Sequence, residues 1–247
     1  MNRVTVATSP PDPVPTRTAP QSQTLSRGIR ALEVLAASSR AMSISEVAGA
    51  LEVHRSIAYR ILRTLEDHGL VQRDTAGCFH PGPGLAGLAR GVARDLQSVA
   101  RPELTVLAAS LQMTAFIAVW DRRECVTLMA VEPPHGEGTL VQRPGSRHSF
   151  GAGAPGMAIQ AALGEHEWAR LSADEPYREE SRLAARNGYA SSSDEVIPGV
   201  SSVAAAVHVP GRPPAALAVV YLNDDRPTGP IGAEVVRAAH AIERQLH

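Results

Sequence analysis

The 247-residue chain has no lysine, so all 24 of its basic residues are arginine. That excludes a Schiff base, a P-loop lysine and a lysine general base. Cysteine is nearly as scarce. Cys78 and Cys125 lie far apart and outside CxxC spacing, which argues against structural zinc and against a disulfide framework. No apolar run approaches the ~20 residues of a membrane span. The N-terminus lacks an apolar h-region, so the cytoplasm is the expected location and no membrane partner is expected.

Charge and motifs exclude more. A formal net charge of −1 speaks against a polybasic, sequence-blind nucleic-acid binder, though it leaves room for a local basic face. His135, His148, His166 and His208 are scattered without HExxH or paired-ligand spacing, and no GxSxG elbow occurs. The acidic run from Glu165 to Glu180 reads as a solvated face. Two GxGxxG strings, 82–87 and 151–156, lack the parallel βαβ setting of a dinucleotide site and read as loop glycines. No metal and no cofactor is implied.

What is present is a size of two modest domains, with 44% apolar and 20% charged residues, as in a globular protein. Residues 1–21, rich in proline and poor in apolar side chains, are expected to be a disordered tail. Leu25, Ile29, Leu32 and Leu35 recur at helical spacing, giving a helix over 24–37. Ser43 and Glu46 have the spacing of a capping box, with Met42 and Val47 as a staple, and open a second helix that runs to about Leu51. A third helix over 54–67 puts Ile57, Ile61, Leu62 and Leu65 inward and ends at Gly69. Residues 70–73, the turn at 74–77 and residues 78–80 form a small hairpin, the wing. A helix over 85–98 then links to a second domain.

That domain begins near Arg101 with a helix over 102–111. Strands are expected over 114–120, 125–131, 139–142, 200–209 and 214–222, with helices over 155–163 and 177–187 and a final helix from Ile231 to Leu246. The class is α+β with a largely antiparallel sheet.

The third helix carries the chemistry. An α-helix fits the major groove of B-DNA, where exposed side chains meet base edges. Its outward set is His54, Arg55, Ser56, Tyr59, Arg60 and Arg63. Arg55 suits bidentate reading of guanine, Ser56 and Tyr59 suit phosphates or bases, and Arg60 and Arg63 suit phosphates. Ser43 at the second helix and Arg73 in the wing complete the candidate set, with the free amides of the third helix as a phosphate site.

The stretches SRGIRALEVLA, SISEVAGALEVHRSIAYRILRTLEDHGLVQRD and FHPGPGLAGLAR resemble the N-terminal domain of the isocitrate-lyase-regulator (IclR) family of bacterial transcription factors. GYASSSDEVIPGVSSVAAAV and RPGSRHSFGAGAPGMAIQAAL are similar to the effector-domain segments of the same family, and coverage runs over about 22–247. The resemblance implies a winged helix-turn-helix domain over 22–84, a linker helix over 85–99 and a GAF-like effector-binding domain over 100–247. It also implies a homodimer or homotetramer that binds double-stranded operator DNA under control of a small-molecule effector. By position it places the effector among Ala154, Pro155, Ser192, Val200, Ser202, Ala218 and Val220. Two departures stand out: Met157 where the family has lysine, and Gly151 where it has histidine. Because Ala218 and Val220 are apolar, the expected effector is more apolar than a small keto acid, such as an aromatic or medium-chain acid. Two other function classes stay open: an enzyme that uses the C-terminal domain, and a DNA-binding protein without an effector.

Overall fold

The computed structural model describes residues 22–121, 124–134, 140, 142–171, 175–224 and 226–247. The expected tail over 1–21 and half of the strand expected over 139–142, residues 139 and 141, lie outside them. The chain divides into two compact units, one ending at Val92 and the other running from Ala93 to His247.

In the first unit, α1 (Gln23–Ala37), α2 (Ile44–Ala50) and α3 (Arg55–Asp67) precede the two-stranded hairpin of β1 (Val71–Arg73) and β2 (Phe79–Pro81). The capping box is present: Ser43 Oγ accepts from Glu46 N, and Glu46 Oε2 accepts from Ser43 N at 2.8 Å. Met42 pairs with Phe79 through two backbone bonds, so the wing is tied to the start of α2. Ala31, Leu35, Val47, Leu51, Ile61, Leu62, Val71 and Phe79 form the core. α3 buries Ala58, Ile61 and Leu62, whereas Ile57, expected inward, is 37% exposed. A 100° step per residue moves Ile57 off the stripe that Ala58 and Ile61 define.

Two glycines of the 82–87 string have a packing role. A Cβ at Gly82 would lie 2.4 Å from Gly69 O, and one at Gly84 would lie 2.6 Å from the same atom. Two backbones touch there, so no side chain fits.

The linker differs from expectation. α4 (Gly84–Ala89) ends early, Ala93 takes a left-handed φ of +43°, and α5 runs unbroken from Arg94 to Leu111. Pro102, expected near a helix start, lies inside α5 and removes one backbone bond. Burial of Leu96, Ala100, Leu104, Leu107 and Ala108 carries the helix through it.

The second unit holds a six-stranded sheet of order β5-β4-β3-β8-β7-β6, antiparallel throughout. Its strands are β3 (Thr114–Trp120), β4 (Glu124–Val131), β5 (Arg147–Ser149), β6 (Ala190–Ser193), β7 (Val200–Val207) and β8 (Ala215–Leu222). The edge strands β5 and β6 have no apolar alternation to announce them and were not expected from the sequence. One face packs on α5 and on α8 (Thr228–Leu246), through Leu104, Ile117, Val203, Leu217, Val235 and Ile242. The opposite face packs on α6 (Ala154–Leu171), which continues past a kink at Gly164, beyond the end expected at 163. α7 (Glu179–Asn187) ends on left-handed Gly188. Among the described residues no helix is long and apolar enough to cross a membrane.

Candidate nucleic-acid interface and effector pocket

α3 starts on His54, which is its N-cap and not part of its outward face. Ser56 N donates to His54 Nδ1 at 3.3 Å, and the Ser56 hydroxyl lies 2.9 Å from the same nitrogen. With Nδ1 accepting, the ring proton sits on Nε2, free to donate outward. Arg55, Ser56, Tyr59 and Arg60 are exposed in the first half of the helix. Among the described residues Arg55 and Arg60 make no ion pair, so both guanidinium groups keep their donors.

Three expected contacts are already engaged within the chain. Arg63 is paired within its own helix, to Glu66 at 3.1 Å and Asp67 at 3.5 Å, so part of its donor capacity is already engaged. Arg73 folds back over the Phe79 ring, 5.6 Å from its centroid, and donates to Gly77 O. It shapes the wing turn. Ser43 spends its hydroxyl on the cap of α2. Arg40, which the sequence reading missed, is bound to Glu46. That contact, with the Ser43 backbone bond, lowers the Glu46 carboxyl to about 2.

In the second unit, strand register gathers the effector candidates. Ser192 pairs with Ser202, Ser202 with Val220, and Val220 with Thr114, making one row across four strands. The next row is Ala190, Ala204, Ala218 and Phe116. Antiparallel partners share a face, and this is the face that packs on α6. Ala154 and Pro155 open α6 and are buried, and Ala154 N donates to Ser192 Oγ at 3.0 Å. Val200, at the start of β7, stands one alternation before Ser202 on the same side.

The polar groups of this wall are few and partly engaged. Ser202 donates to Val219 O, which leaves its lone pairs, while Ser192 accepts from Ala154 N and keeps its proton. Thr114, missed by sequence reasoning, is 1% exposed and donates to Leu140 O at 2.8 Å. The wall is also rich in rings for a chain with two Trp, four Tyr and three Phe. Phe150 stacks on Trp168 at 4.7 Å, and Trp120 tilts against both. Trp168 donates to Glu175 O, but Trp120 Nε1 is buried without an acceptor among the described residues. Nothing in the linear chain announces that clustering. Cys125 lies in the same core, where burial pushes its thiol up, so it is inert.

A three-helix domain with a hairpin wing, followed by an α+β domain with an antiparallel sheet, defines the fold class: a winged helix-turn-helix domain joined to an α+β domain. Residues 24–75 match the model of the IclR helix-turn-helix domain. The chain is 26% identical over 246 residues to the acetate operon repressor of Salmonella typhimurium, covering 90% of this chain and 89% of that one. Its fold is that of an IclR transcriptional regulator from Alicyclobacillus acidocaldarius (TM-score 0.76, 24% identity, 92% and 100% of the two chains). It is also that of an IclR homologue from Microbacterium hydrocarbonoxydans complexed with 4-hydroxybenzoate (TM-score 0.79, 21% identity, 91% and 99%). Residues 24–75 are thus an IclR-type helix-turn-helix domain, and over most of its length the chain is similar to IclR-family transcription regulators.

Proposed function

We propose that this chain is a sequence-specific DNA-binding regulator of transcription, not an enzyme, whose hold on its operator is set by a small-molecule effector. The observation that carries the DNA half is the exposed first half of α3, where Arg55, Ser56, Tyr59 and Arg60 stand and no partner among the described residues takes either guanidinium. A lone recognition helix reads few bases, so the working form is a symmetric homodimer, or a tetramer of such pairs, in the cytoplasm. The effector is an aromatic or medium-chain acid. Its apolar body lies along Ala154, Pro155, Val200, Ala218 and Val220, and its oxygens meet Ser192 and Ser202. The rings of Phe116, Phe150, Trp120 and Trp168 near that wall support an aromatic body, as does the 4-hydroxybenzoate held by the Microbacterium homologue.

Fluorescence anisotropy on the DNA upstream of the chain's own gene tests the first half. Saturable binding that survives competitor DNA is expected, and binding that competitor removes would end the proposal. Calorimetric titration tests the second, with benzoate and 4-hydroxybenzoate expected to bind tighter than glyoxylate or pyruvate. The reverse order would refute the apolar-effector reading.

A further inference from the structure

We propose that Arg178 and Glu195 are a positioning pair for the effector site, clasping the loop before α6 to the turn before β7. The proposal rests on the effector reading above and adds residues outside the pocket wall.

Three distant pieces of chain meet at this pair. Arg178 Nη1 donates to Glu195 Oε2 at 2.7 Å and to Gly151 O at 2.9 Å, while Nη2 reaches Glu195 Oε1 at 3.2 Å. A two-pronged pair of this kind fixes orientation as well as distance. Glu195 Oε2 also accepts from Gly153 N at 2.9 Å. The next amide, Ala154 N, is the one that donates to Ser192 Oγ. Two successive amides at the head of α6 are thus set by the turn and by β6, and Ser192 is a proposed effector ligand.

Each member of the pair is held from behind. Arg178 N donates to Gln160 Oε1 at 3.1 Å, and Gln160 is 1% exposed within α6. Ser181, fully buried, donates to the same oxygen at 2.7 Å. On the other side, left-handed Asp194 accepts from Gly199 N and from Asn223 Nδ2, which closes the turn that carries Glu195. Val196 fills the space beside Gly153, where a Cβ would come within 2.9 Å of its methyl. Arg178 and the Gly153 N–H keep the Glu195 carboxyl below its ordinary range, so the pair stays charged at neutral pH. A loop ordered in advance spares a ligand the entropy of ordering it.

The test uses the full chain and three variants: Arg178→Met, Glu195→Gln and both together. Amide hydrogen exchange over 149–157 is measured without ligand, and 4-hydroxybenzoate affinity is read from the fluorescence of Trp120 and Trp168, which both touch Phe150. Each single change should speed exchange and weaken binding by about tenfold, and the double should be no worse than the worse single, because the two act as one unit. Unchanged exchange would overturn the proposal, as would faster exchange with unchanged affinity, or singles whose effects multiply. If the unaltered chain fails to bind 4-hydroxybenzoate, the effector reading is what fails, and exchange over 149–157 alone decides whether the pair orders the loop.

Discussion

On α3 the groups proposed to meet DNA sit between residues 54 and 63, on one short stretch of chain that starts at the His54 cap. The proposed effector wall instead draws on residues from 114 to 220, brought side by side by strand register. The first arrangement is a surface property of one helix and leaves its cations free. The second is an interior property of a sheet, where most hydroxyls already have a partner and small residues pack beneath α6. The N-terminal unit is therefore tuned one side chain at a time, whereas a change in the C-terminal wall propagates along a row.

That contrast can be broken most forcefully at the cores. Trp168→Ala should cost about 3–5 kcal/mol, lowering the urea midpoint of the C-terminal unit and leaving that of the N-terminal unit in place. Equal shifts in both transitions would mean that the units do not unfold separately. Next in size is Arg55→Ala, which should weaken operator binding by about 1–3 kcal/mol and relax base preference at one position. An unchanged preference in a binding-site selection would remove Arg55 from base reading.

Arg63→Ala sharpens the same comparison from the other side. Its charge is shared with Glu66 and Asp67, so the loss in DNA affinity should be under about 1 kcal/mol and alike for all sequences. A larger loss would show that the intrahelical pairs open on DNA. The smallest effect is expected from acid. Glu46 is lowered on folding from 4.5 to about 2, so its cap contributes fully above 4.5 and is lost only as pH falls toward 2. Circular dichroism of the N-terminal unit should be flat from pH 8 to 5, and a transition above 5 would show that another group controls it.

Legibility followed the same divide. The capping box, the end of α3 at Gly69 and the wing turn were readable because each is set by residues three to five apart. Ile57 was misplaced because an apolar residue next to an apolar stripe looks the same in the chain as one within it. The linker was misread because Pro102 signals a helix start locally, and only packing against the second unit's core overrides it. In the effector wall, Ser192, Ser202, Ala218 and Val220 came from resemblance to family segments. Thr114, Phe116 and Arg178 had no signal at all, since nothing in a single strand says which residue lies opposite.

By itself the amino-acid order determined α1 to α3, the cap of α2, the wing and the cationic outward face of α3, because these depend on interactions within a turn or two of chain. Only the folded molecule decided that the rings gather beside Phe150 and that Arg178 meets Glu195. Those contacts join residues whose separation along the chain bears no relation to their separation in space.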